Sequence, residues 1–120
     1  MSMGKFDNKH QQPEYALEKI GGKWKMPIIW RLSLQANWRY SDLKRDLDPI
    51  SHKMLSQQLK ELEADGLIHR KLYPVVPPKV EYSLTDLGNR ALPAIKGLCA
   101  FSAVMQTTQQ TANTDTTPAA

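Results

Sequence analysis

A single cysteine, Cys99, is all the thiol this sequence has. One thiol closes no intrachain disulfide, which excludes a disulfide-built scaffold and fits a reducing compartment. Cys99 falls on the apolar side of the last helical stretch, so it reads as buried packing, poorly reactive in such surroundings. Long apolar runs are also missing. Stretches such as MPIIW are far shorter than the roughly 20 residues of a membrane helix. The opening MSMGKFDNKHQQ has no apolar signal core. A cytoplasmic protein with no membrane partner is expected. Metal-site spacing is absent too, since His10, His52 and His69 stand far apart. GGKW lacks both the glycine spacing of a phosphate loop and its Ser or Thr after the lysine. No paired nucleophile and base stands out. The expectation is therefore a protein that is not an enzyme and carries no metal or cofactor.

What is present fits one domain. A chain of 120 residues can bury one core, and 41% hydrophobic with 23% charged residues is ordinary for a globular protein. The net charge of +4 and a pI of about 9.3 are compatible with a polyanionic partner without demanding one. Residues 1–12 are polar and expected to form a flexible arm. Residues 107–120 hold no large apolar side chain and are expected to be disordered. The folded domain is placed at 13–106.

Within it, PEYALEKIGG predicts a short helix, with a proline and a glutamate suited to a first turn and glycines to end it. KWKMPIIWRLSLQA predicts a second, with Ile28, Ile29, Leu32 and Ala36 at helical spacing. NWRY is short and aromatic enough for a brief strand. Ser41 is expected to cap SDLKRDL, in which Leu43 and Leu47 face one way. Ser51 caps the next helix, where Leu55, Leu59 and Leu62 form a seam and Gly66 supplies the stop. LIHRKLYP and KVEYSLT alternate as strands, and the prolines of VVPP place the tip between them beyond any paired ladder. Thr85 caps a final apolar helix, in which Pro93 predicts a kink or a restart. Trp24, Trp30 and Trp38 read as core packing rather than as the lining of a small-molecule pocket.

The resulting fold class is mainly α with a small antiparallel β-hairpin. Two short helices followed at once by a hairpin make a winged helix-turn-helix. In that arrangement the second helix of the pair enters the major groove and the hairpin lies beside it. Ser51, His52, Lys53, Ser56, Gln57 and Lys60 are thus candidate contacts to double-stranded DNA, because lysine and glutamine suit phosphates and base edges. Lys44, Arg45, Arg70, Lys71 and Lys79 are candidate backbone contacts. Glu61, Glu63 and Asp65 mark the helix end turned away from DNA. The same polar face also suits a winged-helix protein-interaction module with no sequence preference.

These residues resemble a known family. YALEKIGGKWKMPIIWRL, RYSDLKRDLDPISHKMLSQQLKELEADGLIHRKLYPVVPPKVEYSLTDLG and LPAIKGLCAF are similar to the HxlR-type transcriptional regulators, a bacterial branch related to MarR proteins. The resemblance runs roughly from Pro13 to Phe101. It implies a sequence-specific regulator, by family habit a repressor, acting as a homodimer on an inverted-repeat operator. It also implies that the N- and C-terminal helices form the dimer interface, here Tyr15 and Ile20 with Leu92, Ile95, Leu98, Phe101 and Met105. A small winged helix has little room of its own to bury that long apolar side. An unidentified small-molecule effector is a further possible partner. One feature departs from the family. Where several members carry a reactive cysteine before the first helix, this chain has Gln11 and Gln12, which argues against that thiol switch.

Overall fold

The computed structural model describes residues 12–115, with side chains through residue 110. The order is α1 (Pro13–Ile20), α2 (Lys25–Leu34), β1 (Trp38–Arg39), α3 (Tyr40–Asp46), α4 (His52–Ala64), β2 (Ile68–Tyr73), β3 (Lys79–Leu84), α5 (Asp86–Arg90) and α6 (Leu92–Asp115). The predicted helix pair and hairpin are both present. The hairpin does not stand alone, however. Trp38 pairs with Tyr82 and Arg39 with Glu81, so β1 adds a third antiparallel strand in the order β1-β3-β2.

Helical spacing explains the core. Ile28, Ile29 and Leu32 of α2, Leu43 of α3, and Leu55, Leu59 and Leu62 of α4 are buried together with Leu47, Ile50, Leu67, Ile68, Tyr82 and Ile95. Each such aliphatic side chain contributes about 1.5–3 kcal/mol by leaving water. Trp24, Trp30 and Trp38 pack partly buried against this cluster, as the sequence predicts.

Local chemistry sets the boundaries. Pro13 opens α1, and the Gly21 N–H, bonded to the Leu17 carbonyl at 2.7 Å, closes it. Ser51 caps α4, its hydroxyl accepting the Met54 N–H at 3.0 Å. Ser51→Ala is therefore expected to lower stability by about 1 kcal/mol. A urea midpoint equal to the parent's would show that the cap contributes nothing. Gly66, at φ +76°, turns the chain out of α4 in the left-handed region that suits glycine. Pro93 produces a restart: α5 ends at Arg90, and α6 begins anew at Leu92.

Three sequence expectations differ from the structure. Helix α3 starts at Tyr40 with Arg39 as its N-cap, so Ser41 lies inside the helix and does not cap it. Residues 107–115 are helical and continue α6, because adding turns to a nucleated helix costs little even where no apolar face is buried. Cys99 is exposed. Only the first turns of α6 pack on the domain, with Ile95 its one buried side chain among those described, and the helix then leaves the core behind. The proposed N-terminal arm up to residue 11, and residues 116–120, lie outside the described residues.

Candidate nucleic-acid interface

Helix α4 has two unlike sides. Leu55, Leu59 and Leu62 are locked into the core, which fixes the helix's rotation and turns Lys53, Gln57 and Lys60 to solvent. Its first turn contains no acidic residue. The positive end of the helix dipole is thus left uncovered next to His52 and Lys53, a favourable place for an anion.

Tyr40, which sequence reasoning overlooked, anchors this end. Its hydroxyl donates to the His52 carbonyl at 3.2 Å and lies 3.1 Å from His52 Nδ1 and 3.2 Å from Ser56 Oγ. The Tyr40 and His52 rings also stack, with centroids 5.9 Å apart. His52 and Ser56 are therefore held against α3, while Lys53, Gln57 and Lys60 stand clear. No local signal could have paired Tyr40 with residues 12 and 16 positions later.

The hairpin lies alongside. Arg70 sits opposite Tyr82 across the ladder, and both line one cleft. Burial pushes the Tyr82 phenol up, and the neighbouring Arg70 guanidinium pulls it partly the other way. A cleft of about 280 Å³ joins α4 to the sheet and is lined by Tyr40, Ser56, Lys60, Arg70 and Tyr82 among others. Two other basic candidates are already engaged. Lys79 lies 3.5 Å from Glu81 and over the Tyr73 ring at 4.4 Å, and Arg45 pairs with Asp42 at 2.7 Å on its own helix. Lys71 also covers Tyr73, from 4.9 Å. Lys44 and Lys53 have no ion pair among the described residues.

The acids near the end of α4 have partners too. Glu61 Oε1 meets the Lys25 ammonium at 2.6 Å, and Glu61 Oε2 accepts the Gln57 amide N–H at 3.2 Å. Asp65 pairs with Lys19 at 3.8 Å. These contacts tie the far end of α4 to α1 and α2. Lys25 carried a readable signal: with Ile28, Ile29 and Leu32 it forms one stripe spaced three, four and seven residues on. A lysine on a buried stripe requires an opposite charge.

The residues expected at a dimer interface divide into two groups. Ile95 is buried in the protomer's own core, and Ile20 and Leu92 pack partly buried against it. Tyr15, Leu98, Phe101 and Met105 are exposed, as are Leu17 and Val104. An apolar groove of about 400 Å³ runs between α1 and α5, lined in part by Tyr15, Ile20, Leu67, Leu87 and Arg90. Among the described residues no helix is long and apolar enough to cross a membrane. None of their His, Cys, Asp and Glu side chains group in threes that could hold a metal ion.

Known proteins share this arrangement. An HTH-type transcriptional regulator of Halalkalibacterium halodurans is 55% identical over 97 residues, 80% of this chain and 86% of that protein. The regulator YtcD, known from Bacillus subtilis, has a crystal structure that superposes with a TM-score of 0.75 at 47% identity, covering 78% of this chain and 95% of that one. The redox regulator HypR in its oxidized form superposes with a TM-score of 0.72 at 40% identity, over 76% of this chain and 93% of that one. The HxlR-like helix-turn-helix model matches residues 19–110. With this fold and this exposed helix, the chain belongs to the HxlR family of helix-turn-helix transcriptional regulators.

Proposed function

We propose that the protein is a dimeric repressor that reads an inverted-repeat operator with α4 in the major groove. The observation that carries this reading is the face of Lys53, Gln57 and Lys60, exposed, with no acid in the first turn of its helix, beside the Arg70 edge of the hairpin. Lys53 and Gln57 meet base edges. His52 and Ser56 stand nearer the groove wall because Tyr40 holds them. Ser51 offers its backbone at the helix start. Lys60, Arg70, Lys71 and Lys44 neutralise phosphates, with smaller shares from Lys79 and Arg45, whose charges have partners. Two copies meet through Tyr15, Leu98, Phe101 and Met105, with Ile20, Leu92 and Ile95 supporting that face from beneath. The α4 helices of the two copies then sit about 34 Å apart, one helical turn of DNA. The groove beside Tyr15 falls within the size range of small-molecule sites and is where an effector would enter.

Selection from a random duplex library at near-physiological salt tests the reading. Enrichment of an inverted repeat is the expected result. On that sequence, Lys60→Ala should weaken binding to specific and random DNA alike and reduce the salt slope by about 1. Gln57→Ala should relax preference at one position and cost about 1–3 kcal/mol there. Folded dimer that enriches no sequence would favour the interaction module instead.

A further inference from the structure

Gln57 does not reach the groove as a free side chain. Its amide nitrogen is held by Glu61 Oε2, one helical turn further on, and the other oxygen of the same carboxylate is held by Lys25. Each oxygen of Glu61 thus has its own donor. The Lys25 side chain is only 11% exposed, whereas that of Glu61 is 43% exposed. The buried end of the chain is therefore Lys25 on α2, and the exposed end is Gln57. Lys25's hydrogen bond, then Gln57's, then the lysine charge hold the Glu61 carboxyl below the usual carboxylate value, so it stays ionised at neutral pH.

The chemistry of an amide gives this arrangement a consequence. A glutamine can turn over and exchange its oxygen and nitrogen, which present opposite hydrogen-bonding characters. With one N–H given to Glu61, that exchange is disfavoured, because the carboxylate accepts from nitrogen and repels oxygen. The exposed side chain then keeps its carbonyl oxygen and second N–H for a ligand. That pair matches the N6 donor and N7 acceptor of adenine and mismatches guanine, which presents two acceptors.

We propose that Lys25 is a positioning residue for base recognition: through Glu61 it fixes the orientation of the Gln57 amide and so selects adenine over guanine at the base pair Gln57 meets. The proposal rests on the reading of Gln57 as a base contact. Lys25 itself touches no DNA.

The test is a library selection followed by competition binding, run on the parent, Gln57→Ala, Lys25→Met and Lys25→Arg, each shown to be folded. The parent should prefer adenine at one position by roughly 5- to 150-fold, the range a good bidentate contact supplies. Lys25→Met should lose most of that preference at the same position that Gln57→Ala relaxes, admit guanine there, and keep its preferences elsewhere. Lys25→Arg should restore it. A merely structural role predicts something different, an equal loss of affinity for all sequences with the base preferences intact, and that outcome overturns the proposal. If Lys25→Met fails to fold, Glu61→Leu, at a half-exposed position, removes the same link and is read in the same way. Should Gln57→Ala relax no position at all, the base-contact reading itself fails and takes the proposal with it. Should Gln57→Ala relax one position while Lys25→Met and Glu61→Leu leave it untouched, only the role of Lys25 is overturned.

Discussion

Phe101→Glu is expected to convert the protein to a monomer and to lower its affinity for an operator by roughly 100-fold or more. The size follows from linkage: two reading heads on one particle gain about 10²- to 10⁴-fold over one head alone. The reason to choose Phe101 is its place on α6. It is 57% exposed in the protomer, with Leu98, Val104 and Met105 also exposed on the same helix and Tyr15 and Leu17 on α1. A soluble monomer rarely leaves so many large apolar side chains uncovered on adjoining turns. A glutamate there would have to be buried without a partner if the face were covered, which costs far more than the contact it replaces. Phe101 is outside the core, so the variant should still fold, with an unfolding temperature lowered only by the lost stabilisation of association. Sedimentation mass and operator titration check the two halves of the expectation. A variant that sediments as a dimer and binds as the parent does would show that this face is not the interface.

Gly88→Ala is expected to be strongly destabilising for so small a change, costing about 1–3 kcal/mol or more. A Cβ on residue 88 would stand 2.1 Å from the Leu67 carbonyl oxygen and 3.0 Å from Leu84 Cδ2. The first of these is backbone and cannot swing aside. It is held by the Thr85 N–H at 3.2 Å, while the Thr85 hydroxyl donates to Gly66 O at 2.6 Å and accepts the Gly88 N–H at 3.0 Å. Room for a methyl therefore requires the end of α4 to part from the start of α5. Gly97→Ala gives the contrast. Nothing lies within 4 Å of its would-be Cβ, and the residue is inside α6, so a gain of about 0.5–1 kcal/mol is expected from helix propensity. Thermal unfolding of both variants decides the matter. Equal midpoints for Gly88→Ala and parent would show that the junction yields more readily than its distances imply.

The sequence made some of this readable and hid the rest for physical reasons. Leucines at 55, 59 and 62 announce a helix with one buried side, and the structure buries all three. The alternation in IHRKLY and KVEYSL announces a hairpin, and those residues pair in register. The brief strand in NWRY was legible and forms at Trp38–Arg39, but its place beside β3 was not, because pairing Trp38 with Tyr82 is a non-local choice that two residues do not encode. Apolar spacing in α6 marks a face to be covered without saying what covers it. This is why Cys99 looks buried in the sequence and is exposed in the protomer. At the candidate interface, residue types on α4 were legible, while the holding residues were not. Tyr40 acts across chain distance, and Lys25 looks like any surface lysine until its spacing is compared with that of Ile28, Ile29 and Leu32.

The junction of Gly66, Leu67, Thr85 and Gly88 also limits how the protein could be controlled. Hydrogen bonds and a backbone contact too close for a methyl weld the exit of α4, both ends of the hairpin and the entry of α5. Tilting the helix against the wing would therefore strain this junction directly. A signal that weakened the grip on DNA by tilting α4 against its wing would have to break this weld first. In the proposed dimer, shifting one copy against the other breaks none of it, so control over the spacing of the two units leaves the junction intact.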